Sequence, residues 1–105
     1  MPDQYRVIVS GEAFDDLNQI LDFIAEVSPQ AAARMVDRLW DATQSLERFP
    51  NRYKIYQHRR RPDLVVRSMP IPPFVIYYRV VEQSKVVRIL TVRHGARQKP
   101  ERFDQ

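Results

Sequence analysis

The chain contains no cysteine, which excludes a disulfide framework, a zinc ribbon and a thiol nucleophile. Its two histidines, His58 and His94, are too few to build a metal site by themselves, so no metal or cofactor is expected. No apolar run approaches the roughly 20 residues needed to span a bilayer. The N-terminal Met1-Pro2-Asp3-Gln4 lacks the basic and apolar regions of a secretion signal. A reduced cytoplasm is therefore the expected compartment. Lysine is scarce: of 17 basic residues only Lys54, Lys85 and Lys99 are not arginine.

Acidic residues are scarce in one half only. Residues 1–50 carry four basic and nine acidic side chains, a net of −5. Residues 51–105 carry thirteen basic side chains against Asp63, Glu82, Glu101 and Asp104, a net of +9. Arginine forks onto phosphate and carboxylate with paired hydrogen bonds, so an arginine-rich half implies an anionic partner. Part of that charge is expected to be neutralised internally by the acidic half.

One domain over residues 1–105 is expected from the length. Tyr5 to Val9 is β-branched and reads as a strand, with Ser10 as the N-cap of a helix. Phe14, Leu17, Ile20, Leu21, Ile24 and Val27 recur at helical spacing. Ser28-Pro29 opens a second helix whose apolar face holds Ala32, Met35, Val36, Leu39, Trp40, Thr43 and Leu46, ending near Phe49-Pro50. Asn51 to Asp63 is a basic connection that includes Arg59, Arg60 and Arg61. Strands are expected over 64–69, 74–81 and 85–93, with Pro70-Ile71-Pro72-Pro73 as an irregular link. From about residue 98 onward a disordered tail is expected. The order strand, helix, helix, three strands defines an α+β fold (β-α-α-β-β-β), with the helical hairpin on one face of a small antiparallel sheet.

Strand alternation sorts the sheet residues. Phe74, Ile76, Tyr78, Val80, Val87, Ile89 and Thr91 are assigned to the helix side. The other face would hold Val75, Tyr77, Arg79, Arg88, Leu90, Val92 and His94, with Val65, Arg67 and Met69 continuing it. That face, apolar at its centre and edged with arginine, suits an amphipathic helix of a partner. Arginine stems shielding an exposed sheet is the plainer alternative. Arg93-His94-Gly95-Ala96-Arg97 ends the last strand at a sheet corner, where docking or chemistry often sits.

These features resemble the RelE/ParE superfamily of bacterial type II toxins, on the ParE side often called plasmid stabilisation proteins. The resemblance rests on the strand and acidic hairpin, the Phe49-Pro50 exit and Arg67 ahead of a Pro–Phe link. It continues through Phe74-Val75-Ile76-Tyr77-Tyr78-Arg79-Val80 and Ile89-Leu90-Thr91-Val92-Arg93-His94-Gly95-Ala96-Arg97. It implies a toxin neutralised by a cognate antitoxin, with Val75, Tyr77, Arg79, Arg88, Leu90 and Val92 as antitoxin contacts. ParE-like members inhibit DNA gyrase and are not nucleases; Arg59, Arg60, Arg61, Arg93 and Arg97 would then meet the target. RelE-like members cut messenger RNA on the ribosome by in-line attack of the ribose 2′-hydroxyl, which here would fall to Arg67, His94 and Arg97. The chain departs from that second pattern. Val75 stands where RelE-like proteins usually show arginine, and Phe103 where they often place tyrosine. The ParE-like reading is favoured, the ribosome-dependent endoribonuclease is its alternative, and a non-toxic binding module of the same fold is a third. Direct DNA binding through Arg59-Arg60-Arg61 ranks lower, because both helices belong to the acidic half.

Overall fold

The computed structural model describes residues 4–57 and 65–95. Strand β1 spans Arg6–Val9, helix α1 Gly11–Ala25 and helix α2 Pro29–Gln44. Two short 3-10 turns follow, at Ser45–Glu47 and Pro50–Arg52, and then β2 at Ile55–Gln57, β3 at Val66–Ile71, β4 at Phe74–Val81 and β5 at Val86–His94. Both helices start where the sequence sets a cap. Ser10 Oγ accepts from Ala13 N–H and Ser28 Oγ from Ala31 N–H, each satisfying a donor that the first helical turn leaves orphaned.

The five strands form one sheet in the order β1-β5-β4-β3-β2, with the two helices packed on one face. This is the expected α+β architecture, with two differences. The sheet is mixed, because β1 runs parallel to β5, and it gains the short edge strand β2 within a segment read as connection. β3 also runs on through Pro70 and Ile71, which pair with Val75 and Phe74. Proline is tolerated there because β2 pairs only with Val66 and Arg67, so among the described residues no strand partner needs an N–H from Pro70 on that side. The link to β4 is thus a tight turn at Pro72-Pro73, joined by a cis bond.

The main core lies between the helices and the sheet. Ala13 and Leu17 of α1 and Leu39 of α2, together with Leu46, meet Met69, Phe74, Ile76, Tyr78, Val87, Ile89 and Val92. The facing of β4 agrees with alternation throughout. That of β5 changes at Leu90. Tyr78 sits opposite Ile89 but Tyr77 opposite Thr91, so Leu90 is an extra residue, a β-bulge. Beyond it every side chain changes face. Val92 enters the helix-side core, whereas Thr91, expected there, pairs with Tyr77. Met69 and Arg67 likewise take the helix-side phase, set by the pairing of Ile71 with Phe74 across the tight turn. Phe14, Val27 and Trp40, expected on packed faces, are exposed.

Tyr78 anchors the core to the helix exit. It is fully buried, and its hydroxyl donates to the Pro50 carbonyl at 2.6 Å. Burial pushes this phenol up to about 12, with Arg67 and Arg52 pulling weakly the other way.

Candidate functional site

Two regions collect the residues singled out from the sequence. The first is the sheet face away from the helices. Val66, Tyr77 and Leu90 pack there as a second small cluster, flanked by Tyr56 and Val75. Tyr56 and Tyr77 meet edge to face at 4.8 Å, and burial, reinforced by Tyr56, raises the Tyr77 phenol above its ordinary range. Tyr77 is 2% and Leu90 3% exposed. The expected open apolar groove is therefore corrected: its centre is closed. Val75, Arg79 and Arg88 form a half-buried rim, with Arg79 and Arg88 directly opposite one another across β4 and β5. Like charges so placed cost free energy unless counter-charges lie near them. Val92 is corrected as well, since the bulge turns it into the main core.

The second region is the end of β5. β1 covers β5 only as far as Ile89, and among the described residues no strand pairs with the rest of that edge. The start of α1 closes it with side chains. Ser10 Oγ donates to the Leu90 carbonyl at 3.0 Å. The Asp16 carboxylate accepts the Val92 N–H at 2.9 Å and also the Thr91 hydroxyl. Arg93 joins this chain: its Nε donates to Thr91 Oγ1 at 2.9 Å and its Nη2 faces Glu12 Oε2 at 3.3 Å. One of the expected target-binding arginines is thus partly neutralised by the acidic helix. Nothing in the one-dimensional pattern marked Asp16 or the bulge. A Ser-x-x-x-x-x-Asp spacing at a helix start has no signature of its own.

His94 turns to the helix side, with its ring edge-on to Phe74 at 5.9 Å. It lines a cleft of about 610 Å³ with Asp16, Gln19, Ile20, Phe23, Phe74, Val92 and Arg93. Arg67 lies elsewhere. It stands opposite Tyr78 and donates to the Tyr53 carbonyl at 2.8 Å, whereas His94 stands opposite Phe74. The two are four residues apart along β4, about 13 Å, and on opposite flanks of it. Arg59, Arg60, Arg61 and Arg97 fall outside the described residues. Among the described residues no cluster of three or more His, Cys, Asp or Glu could hold a metal, and no helix is long and apolar enough to cross a membrane.

Comparison with known proteins places this geometry. Residues 7–99 match the family described as ParE toxin of type II toxin-antitoxin system, parDE. The toxin RelE2 of Caulobacter vibrioides is 39% identical over 92 residues, covering 88% of this chain and 97% of the relative. Among solved structures, a chromosomal ParDE toxin–antitoxin system from P. aeruginosa is similar with a TM-score of 0.68 at 21% identity, covering 88% of this chain and 97% of that one. The RelBE2 toxin–antitoxin complex of Mycobacterium tuberculosis gives a TM-score of 0.57 at 25% identity, covering 87% and 91%. Two helices on a five-stranded mixed sheet is thus the RelE/ParE fold. The chain belongs to the ParE toxin family, and is a type II toxin–antitoxin toxin of the ParE/RelE kind.

Proposed function

We propose that this toxin acts by binding DNA gyrase rather than by cutting RNA, and that a cognate antitoxin holds it in check. The observation that carries the reading is the separation of Arg67 from His94. In-line attack at phosphorus needs charge stabilisation and a proton carrier converging on one phosphate, within hydrogen-bond reach. Arg67 spends a guanidinium donor on Tyr53, and His94 sits against Phe74 at the far end of the sheet. Val75, in place of the arginine usual in RelE-like toxins, removes a third cation from β4. A ParE family match over residues 7–99 supports the same side of the superfamily.

The antitoxin part of the reading draws on the solved relatives, two of which are toxin–antitoxin assemblies. Here the rim of Val75, Arg79 and Arg88 around Tyr77 and Leu90 is the surface that an acidic amphipathic segment would engage.

Inducing the toxin without its antitoxin, and following plasmid supercoiling alongside bulk translation, tests the reading. Loss of supercoiling while protein synthesis continues is the expected result. An immediate stop in translation with normal supercoiling would assign the toxin to the ribonuclease branch.

A further inference from the structure

The helical hairpin exposes a surface that neither core uses. Each residue of an α-helix advances about 100° around its axis. On α1 that puts Phe14 and Leu21 on one line, and on α2 Val36 and Trp40. The α1 line lies about 50° from the one that meets the sheet through Leu17, and the α2 line about 80° from the one through Leu39. The two lines meet each other, since the Phe14 and Trp40 rings stand edge to face at 6.0 Å. Yet Phe14 is 50% and Trp40 39% exposed, while Leu21 and Val36 are half-buried. The solvent side of the hairpin is therefore an apolar seam with a half-open aromatic pair.

Charge chooses what would cover it. The same angular step places Asp15 and Asp22 about 100° round from the seam on α1, toward solvent, and Asp37 about 80° and Asp41 about 120° round from it on α2. All four are exposed, and among the described residues none of these carboxylates takes part in a salt bridge. The two helices together hold six acidic residues against Arg34 and Arg38. Arg38 points away from α1, and Arg34 lies about 140° round from the seam, within about 20° of Asp41. The acidic excess beside the seam therefore comes mainly from Asp15 and Asp22, with Asp37 opposite.

We propose that this seam docks a basic, amphipathic helical segment of a partner protein. Apolar side chains of the segment would lie on Phe14 and Trp40, and its Lys or Arg would face the aspartates on either side. The inference stands apart from the choice between gyrase and ribosome. It also opposes the protein's global field: a chain of net charge +4 repels a cation at long range, so only a local acidic surface gives a preference for one.

Trp40 is the only tryptophan, so its emission reports on this seam directly. The full chain is titrated with a Leu/Lys amphipathic peptide of about four helical turns, and with a Leu/Glu peptide of the same apolar pattern. The Leu/Lys peptide is expected to shift Trp40 emission to the blue with saturation, and the double variant Asp22→Lys/Asp37→Lys to weaken it about tenfold or more. Phe14→Ala should weaken it too, and it serves in place of the charge variant if far-UV circular dichroism shows that variant unfolded. Equal or tighter binding of the Leu/Glu peptide overturns the proposal. So does Leu/Lys binding that leaves Trp40 emission unmoved, or that survives these substitutions.

Discussion

The carboxylate of Asp16 on α1 accepts the backbone N–H of Val92 on β5 at 2.9 Å, 76 residues away in sequence. It does the work of a missing strand. β1 stops at Val9, opposite Ile89, and the bulge at Leu90 leaves β5 with backbone groups turned to an edge that no strand covers among the described residues. A sheet edge closed by a helix side chain gives up no ladder bond and offers no template for pairing at that point.

Asp16→Ala is therefore expected to cost about 1–3 kcal/mol, because the Val92 N–H and the buried Thr91 hydroxyl both lose their acceptor. Urea unfolding of the variant beside the wild-type chain checks this, with an unchanged denaturant slope showing that the native compactness is kept. Thr91→Val, which removes the hydroxyl and keeps the shape, should cost less.

Tyr78→Phe removes one hydroxyl from the middle of the core. It leaves the Pro50 carbonyl without its donor, at an expected cost of about 1–3 kcal/mol in thermal or urea unfolding. The phenol is pushed up to about 12 from 10.0. Because the folded value lies above the unfolded one, the protonated phenol favours the native state. This contribution is complete below pH 10 and is lost as pH rises toward 12. Stability measured across that window should fall in the wild type more steeply than in Tyr78→Phe.

Glu82 fixes the turn between β4 and β5. Its carboxylate accepts from the Tyr5 hydroxyl at 2.7 Å, from Asn51 at 3.1 Å and from Lys85 at 3.2 Å, and Lys85 itself holds a left-handed φ of 54°. The Tyr5 bond first, then that from Asn51, lowers the Glu82 carboxyl below 4.5. A depressed folded value gives stability that is present above 4.5 and lost as pH falls through the folded value. Glu82→Gln should flatten that acid limb. At neutral pH the change should cost no more than about 1 kcal/mol, since the side chain is 53% exposed.

Local signals in the sequence carried most of the fold, and non-local pairing carried what they missed. Ser10 and Ser28-Pro29 mark both helix starts because capping is a matter of a few adjacent residues. Phe74, Ile76, Tyr78 and Val80 sort to the helix side because β4 has no irregularity of its own facing. The phase of β5 could not be read past Leu90, because a bulge is a single unpaired residue and here involves no glycine. With it went Val92, expected in the partner groove and found in the core. Trp40 and Phe14 show a second limit: periodicity locates an apolar line on a helix but not whether another element covers it. Of the residues proposed for RNA cleavage, Arg67 and His94 were legible as candidates, yet their separation is a property of register alone.

The central claim is a toxin that binds its target without cleaving it, and purified protein tests this most directly. Added to gyrase acting on relaxed plasmid, wild-type toxin and His94→Ala should inhibit supercoiling comparably, and neither should cleave messenger RNA on programmed ribosomes. Messenger cleavage by the wild type that His94→Ala abolishes, with gyrase unaffected by either protein, would contradict the account.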